Sequence, residues 1–314
     1  MDQRVNESIQ VPDEHPFPDD AGVAYIDGEF MPIAEAKIPV TDFGFSRSDV
    51  TYDVVHVWNG QFFRLDDHID RFAASVAGTR LTLPFGTDIL RETLLEVVAR
   101  SGLREAYVDM ILTRGVPPRG CRDLRLCTNH SLILYAVPFV WVVPREKIAS
   151  GGHMIISDIP RIPKESVNSK YKNFHWGDFT QSLFDAYEKG GDTTVLPDAD
   201  GNITEGPGFN VFMIREGAVF TGPDNVLEGI TRRTVLELCA EIGVETRVQT
   251  FKADDMRAAD EIFISSTAGG IMPITKIDHT ILGNGVPGPL TTRLFNLYWA
   301  NKLSGWHGTP VNYD

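Results

Sequence analysis

Residues 167–179 read VNSKYKNFHWGDF, which sets Lys170 and Lys172 just before an apparent helix start at about Trp176. An exposed lysine keeps its proton up to a pKa of about 10.4 and is a poor nucleophile. Partial burial or a cationic neighbour lowers that value and permits Schiff-base formation. Lys170 and Lys172 are close enough in sequence to act on each other in this way. Read alone, the segment equally suits two solvated lysines in a polar loop.

Three further stretches bear on that choice. In ITEGPGFNVF, Glu205 lies between two strand-like runs and is followed by Gly206 and Gly208, which let the backbone approach another group closely. A carboxylate there can pair with a ring-nitrogen cation, or can simply be a loop residue. In LEGITRRTV, Gly229, Ile230 and Thr231 open a helix. The free N–H groups at such an end suit a phosphate, although Thr231 as a plain helix cap accounts for the same residues. In ISSTAGG, a strand from Ile264 runs into hydroxyls and amides that suit an oxyanion. Together, a lysine, a carboxylate and two phosphate-type cups are what a pyridoxal-phosphate site requires of a protein.

The surroundings fit an enzyme of ordinary build. The chain has 314 residues, 42% hydrophobic and 23% charged, which suits two domains with normal cores. A net charge of -14 makes nucleic acid and anionic lipid poor partners. Cys121, Cys127 and Cys239 give neither a disulfide framework nor a paired metal motif, and suit a reducing, cytoplasmic compartment. The apolar run Leu132–Val143 is too short to span a bilayer.

The spacing predicts hairpins at Asp27-Gly28 and Asn59-Gly60 and helices over 65–78 and 87–101. The first helix turns Leu65, Ile69, Phe72, Ala73 and Val76 inward. The second turns in Ile89, Leu90, Leu94, Val97 and Val98. Strands follow at Ala106–Thr113 and Leu132–Val143. The chain then divides into an acidic, Pro-rich, loosely ordered arm (1–20), a small α+β domain (21–143), a linker (144–152) and a second domain (153–314). In the second domain a helix over 176–189 is expected to bury Phe179, Leu183, Phe184 and Tyr187. Further elements are a hairpin at Glu216-Gly217, a helix over 231–242, a strand at Glu261–Ser265 and a last helix from Pro289 to Leu303.

The blocks SDVTYDV, FFRLDDHIDR, VNSKYKNFHWGDF, TEGPGFNVF, LEGITRRTV and STAGGIMPIT, in this order, resemble the class IV (fold type IV) pyridoxal-phosphate aminotransferases, and within them most of all the (R)-selective amine transaminases. The resemblance covers nearly all of the chain beyond the arm. It implies an α+β two-domain fold, with a larger pseudo-barrel C-terminal domain and the cofactor at the domain junction. Lys172 matches the Schiff-base lysine, and Lys170 does not. Glu205 matches the partner of the pyridine nitrogen. Arg71, Ile230, Thr231, Ser266 and Thr267 match the phosphate contacts. Tyr52, Val54, Thr267 and Ala268 match substrate-pocket positions, although Val54 also suits ordinary strand burial. Arg47 stands where the amine transaminases usually carry a histidine, and Arg119 resembles a mobile arginine that admits a keto acid's carboxylate; the alternative for both is a surface ion pair.

His56, in the same strand as Tyr52, finds no role in that reading. The implied activity is amino transfer from an (R)-amine or D-amino acid to pyruvate or 2-oxoglutarate by a ping-pong route, in a homodimer and without metal. The alternatives are a branched-chain L-amino acid aminotransferase, an aminodeoxychorismate lyase, or a cofactor-binding protein without activity.

Overall fold

The computed structural model describes residues 8–18 and 20–314. Of the arm expected at 1–20, residues 1–7 and 19 lie outside the described residues. The chain forms two compact units, and neither is one continuous run. The first comprises 14–140, 171–175 and 302–314; the second takes in the described residues up to 13, then 141–170 and 176–301. The stretch 144–152 belongs to the second unit, whereas the short piece carrying Lys172 belongs to the first.

The first unit is built on an antiparallel sheet. Strands β1 (Val23–Ile26) and β2 (Glu29–Pro32) form a hairpin through Asp27 and Gly28, both at positive φ. Strands β3 (Val50–Trp58) and β4 (Gln61–Phe63) form another through Asn59 and Gly60, also at positive φ, the conformation an Asn-Gly turn favours. With β5 (Ala106–Thr113), β6 (Ser131–Pro138) and a C-terminal strand Gly308–Pro310, the order is C-terminal strand, β4, β3, β5, β6, β1, β2. The short helix α1 (Phe43–Arg47) precedes β3. Strand β6 stops at Pro138, short of the expected Val143, because proline cannot donate to the next rung.

Side chains alternate along these strands, and the two faces differ in chemistry. On one face Val55, Val57, Val108, Met110, Leu112, Leu132 and Leu134 share a core with helices α2 (Leu65–Gly78) and α3 (Thr87–Ser101), which supply Ile69, Phe72, Val76, Leu90, Leu94 and Val97. Ala73 of α2 is only partly covered. Ile89, expected inside, is 51% exposed. The α3 stripe is set by Leu90, Leu94, Val97 and Val98, and Ile89 lies about 100° round the helix from Leu90. The other face carries Val50, Tyr52, Val54, Ile111 and Ile133. Strand β3 is therefore buried along its whole length.

The second unit holds a mixed sheet. Its strands are β7 (Gly152–Ile156), β8 (Thr193–Val195), β9 (Glu205–Gly206), β10 (Phe209–Arg215), β11 (Ala218–Thr221), β12 (Thr246–Val248), β13 (Glu261–Ser266), β14 (Gly270–Ile277) and β15 (Thr280–Ile281). The order is β12, β11, β10, β13, β14, β7, β8, with β9 beside β10 and β15 beside β14. Its helices are α4 (Gly177–Glu188), α5 (Ile230–Glu241), α6 (Ala253–Arg257) and most of α7 (Pro289–Leu303). Strand β14 is hidden in the sequence by Pro273, a residue that argues against a central strand. Strand β7 pairs with β14 only from Ile274 onward, so the ladder on that side begins beyond the proline.

Helix α4 faces inward through Phe179, Ser182 and Ala186, not through the expected Phe184 and Tyr187, which are 64% and 52% exposed. The small side chains at 182 and 186 allow close approach to β8, while the two large rings pack edge-on against each other outside. The centre of the mixed sheet is held by the cross-strand pair Phe212 and Phe263, both fully buried, stacked with centroids 4.7 Å apart.

Among the described residues no helix is long and apolar enough to cross a membrane. Truncating Phe263 to alanine should cost about 3–5 kcal/mol, since the packed sheet cannot close over the void. Urea unfolding checks this, and a loss below about 1 kcal/mol would show that the stacked pair is not central to this unit.

Candidate active site

In the first unit the residues of interest are arranged around β3. The stretch 171–175 runs against this strand beyond the reach of β4, with Thr51 bridged to Asn173. The carbonyl of Lys172 accepts from the Tyr52 amide at 3.2 Å and from the Thr51 hydroxyl at 2.7 Å. Its Nζ lies 4.3 Å from the centroid of the Tyr52 ring, and Phe174 packs on the same ring at 4.6 Å. Gly78 is required beside it, because a Cβ there would fall 2.2 Å from the Tyr171 ring. Lys172 is thus partly buried in a fixed place. Lys170 belongs to the other unit, where it makes a solvated pair with Glu228, both more than half exposed.

The opposite face of β3 carries Asp53, fully buried. Arg71 of α2 binds it through Nε at 2.7 Å and Nη2 at 2.8 Å, and His68 Nδ1 lies 2.8 Å from the same carboxylate. Burial alone would raise the Asp53 pKa. The Arg71 charge and the hydrogen bonds from His68 and Arg71 outweigh it and hold the carboxyl far below its usual range. An ionised carboxylate only accepts, so His68 carries a proton on Nδ1. Burial pushes the His68 pKa down against the opposing pull of Asp53, which keeps the second ring nitrogen neutral. Arg71 is therefore held by a fixed, charged pair, with its side chain still 14% exposed.

On the face shared with Tyr52, His56 is 1% exposed and its Nε2 lies 2.8 Å from Lys302 Nζ. Phe63 stacks on the imidazole and Phe139 meets it edge-on. Burial holds the Lys302 amine well below its usual pKa, with the Glu105 charge opposing. This gives His56 its place: it meets a buried amine brought from the far end of the sequence. The described part of the N-terminal arm meets the same Glu105, whose carboxylate accepts from the His15 amide at 3.0 Å.

The second unit gathers the other group. Glu205 is 6% exposed; one carboxylate oxygen accepts from Arg161 Nε and Nη2, each at 3.3 Å, and the other from the Leu227 amide at 2.7 Å. Arg161 is steadied in turn by Asp178 at 2.7 Å and by the Phe179 ring at 4.0 Å. Asn210, opposite Glu205 in the β9–β10 pair, donates to the Leu227 carbonyl at 2.9 Å. Gly229 caps α5, and a Cβ on it would come within 2.1 Å of Asn210 Oδ1. Helix α5 thus opens with glycine, leaving Thr231 inside the first turn instead of at the cap, and its first N–H groups lack intrahelical acceptors. Ile230 and Thr231 are both buried. Ser266 donates to the Gly208 carbonyl at 2.7 Å and accepts from the Ala268 amide at 3.1 Å, placing Thr267 and Ala268 in a tight turn between β13 and β14.

The residues singled out in the sequence therefore fall into three sets. Lys172, Tyr52 and Val54 come together in the first unit, with Arg71 behind them. Glu205, Ile230, Thr231, Ser266, Thr267 and Ala268 belong to the second. Arg47 and Arg119 are exposed, and Arg47 lies over its own helix's Phe43 ring at 3.7 Å. Sequence reasoning missed Asp53, His68, Arg161 and Asp109, all buried polar residues. Asp53, His68 and Asp109 lay within predicted elements or quoted blocks that could have flagged them, as polar residues at otherwise apolar positions, whereas Arg161 lay in a polar, proline-spaced stretch that gave no such sign.

Taken separately, the two units carry the kinds of group that pyridoxal phosphate calls for. A buried carboxylate fixed by a guanidinium and an amide can face a ring cation, a glycine-opened helix can hold a phosphate, and a partly buried amine can bond an aldehyde. Among the described residues no cluster of metal-ligating side chains is present.

A family model for amino-transferase class IV matches residues 51–277. The D-alanine aminotransferase of Bacillus licheniformis is 30% identical over 266 residues, covering 84% of this chain and 91% of that protein. The D-alanine aminotransferase of Listeria innocua is 31% identical over 268 residues, covering 84% and 90%. The crystal structure of a T.th. branched-chain amino acid aminotransferase with pyridoxamine 5'-phosphate superposes with a TM-score of 0.85 at 28% identity, covering 93% of this chain and 99% of that one.

Both Asp53 and His68 have folded-state pKa values below their unfolded ones. Below about pH 6.5 the unfolded chain therefore binds more protons, and stability declines as pH falls, first through His68 and then, in acid, through Asp53. The unfolding free energy from urea titrations should drop between pH 7 and 5, and His68→Gln should flatten that drop. An unchanged slope in the variant would remove His68 from the account.

Proposed function

The chain belongs to the class IV aminotransferases, with the fold type IV architecture and pyridoxal 5'-phosphate as cofactor, and from that premise we propose that it transfers an amino group from an (R)-amine or D-amino acid to an α-keto acid, with Lys172 as the catalytic base. The observation that carries the residue assignment is the contrast between the two lysines. Lys172 is held against Tyr52 by two hydrogen bonds to its own carbonyl, whereas Lys170 is on the surface with Glu228.

The cofactor supplies an electron sink for the bond broken at the donor carbon. The protein's part is positioning and proton movement. Lys172 Nζ is the amine that would hold the aldehyde; once displaced by the donor's amine, it would take the donor's α-proton as base and deliver it as acid to the former aldehyde carbon. Tyr52 and the carbonyl hydrogen bonds keep that nitrogen in place. Glu205, fixed by Arg161 and the Leu227 amide, would keep the ring nitrogen protonated. Arg71 and the Ile230, Thr231, Ser266 and Thr267 groups would hold the phosphate, Arg71 being kept rigid by Asp53 and His68. Tyr52, Val54, Thr267 and Ala268 would line the donor's path. Arg119 and Arg47 are the cations available for the acceptor's carboxylate.

The likeness to D-alanine aminotransferases over most of the chain supports the D or (R) donor. A second reading, an L-branched-chain donor, is favoured by the likeness to the branched-chain enzyme's crystal structure. Rates with (R)-1-phenylethylamine, D-alanine and L-leucine, each with pyruvate and with 2-oxoglutarate, separate the two; preference for L-leucine would overturn the proposed donor class. The proposal extends to a cytoplasmic homodimer; the free thiols of Cys121, Cys127 and Cys239 support the reducing compartment, and sedimentation tests the homodimer.

Lys172→Ala should fold but lose at least about a thousandfold in turnover, consistent with removal of a group acting as both base and covalent anchor. Lys170→Ala should retain most of it. Borohydride reduction of the wild type followed by peptide mapping should place the pyridoxyl tag on Lys172, and a tag on any other residue would overturn the assignment.

A further inference from the structure

The sheet face that carries Tyr52 is largely apolar around that residue, with His56 and Lys302 at one end of it. Val50, Tyr52, Val54, Ile111 and Ile133 cluster there, with Tyr107 and Tyr135 packed against them. Among them lies Asp109 of β5, 4% exposed, paired across the sheet with Val54 on one side and Tyr135 on the other. A carboxylate without full compensation is costly in such a place. Asp53, on the far face of β3, has an arginine and a histidine in direct contact. Among the described residues, Asp109 is favoured in its charged form by a hydrogen bond from Tyr135 and the more distant charge of Lys172. Burial outweighs both and pushes its carboxyl up to about 6. A titratable group retained at such cost, within the field of the reacting amine, is a candidate for function.

We propose that Asp109 is a specificity-determining residue: the substituent of the donor that lies against this face is uncharged or a hydrogen-bond donor, and a carboxylate is excluded from it. The inference deepens the reading of Lys172 above and rests on it. Two like unit charges about 6 Å apart, at an effective dielectric of about 20, oppose binding by roughly a hundredfold. A keto-acid acceptor must then turn its carboxylate away from Asp109, toward a cation such as Arg119 or Arg47, which fixes the face from which it reacts. Protonation of Asp109 relieves the exclusion, so discrimination against carboxylates weakens as pH falls.

The ionisable groups facing Asp109 are Tyr52, Tyr107, Tyr135 and Lys172, with Asp53 behind β3. His56 follows at the next cross-strand position, opposite Tyr107, with Lys302 against it. Burial lifts the Tyr107 and Tyr135 hydroxyls well above their usual range, out of the window concerned. The Asp109→Asn variant separates Asp109 from His56 and Lys302.

Two measurements on the holoenzyme test this. The first compares kcat/KM for D-alanine and 2-aminopropane, which differ by a carboxylate against a methyl group, from pH 5 to 8. The amine's advantage should grow with pH in the wild type and in Asp109→Glu. In Asp109→Asn it should shrink at least tenfold and lose its pH dependence. A ratio within twofold of wild type across the range would overturn the proposal. The second is calorimetric binding of phenylacetate, a carboxylate that is not turned over. It should bind the wild type at least tenfold tighter at pH 5 than at pH 8, and pH-independent binding would equally overturn the proposal. Because binding needs no turnover, a wild type that ignores both donors yet binds phenylacetate in this pH-dependent way would sink the donor class proposed above and support the role of Asp109.

Discussion

The carbonyl of Lys172 accepts two hydrogen bonds from consecutive residues of β3, and much of the first unit's chemistry depends on that attachment. Lys172 lies far along the chain from Thr51 and Tyr52. Only pairing to the exposed rung of a strand can hold so short a segment in register. The attachment needs Gly78 to admit the Tyr171 ring, and Phe174 to cover Tyr52. An amine on a flexible side chain is thereby given a defined position beside the Tyr52 ring.

Strand β3 also sorts charge by the alternation of its side chains. Tyr52 and Val54 point to one face and Asp53 to the other, and the two buried aspartates of the sheet meet opposite fates. Asp53 sits between an arginine and a histidine and stays ionised. Asp109 sits among aromatic and aliphatic side chains and is pushed toward neutrality. The same side chain thus serves as a permanent anchor for Arg71 in one place and as a titrating group in the other. The difference lies in the hydrogen-bond donors within reach, since both are nearly or fully removed from water.

In the second unit the corresponding constraint is the carboxylate of Glu205. It collects a guanidinium from one side and the Leu227 amide from the other, and the Leu227 carbonyl is tied to Asn210. This chain of contacts sets where α5 begins, because Gly229 has room only for hydrogen beside Asn210. The carboxylate and the helix N-terminus are therefore placed by one network, and a change in any member is felt by the others.

Much of this was legible in the sequence. The Asn-Gly and Asp-Gly turns, the periodicity of α2 and α3, and the blocks around Lys172, Glu205 and Gly229 depend on local stereochemistry, which a short window contains. Those blocks also carried the family and its cofactor. Tertiary contacts decided the rest. They set Lys172 apart from Lys170 in burial, admitted β14 in spite of Pro273, turned Phe184 and Tyr187 outward because Ser182 and Ala186 permit closer packing, and brought Lys302 to His56. They also gave Arg161 and Asp109 their significance. Burial and charge pairing are properties of neighbours distant in sequence, and the cost of an aspartate on an apolar face exists only once the strands on either side are in register.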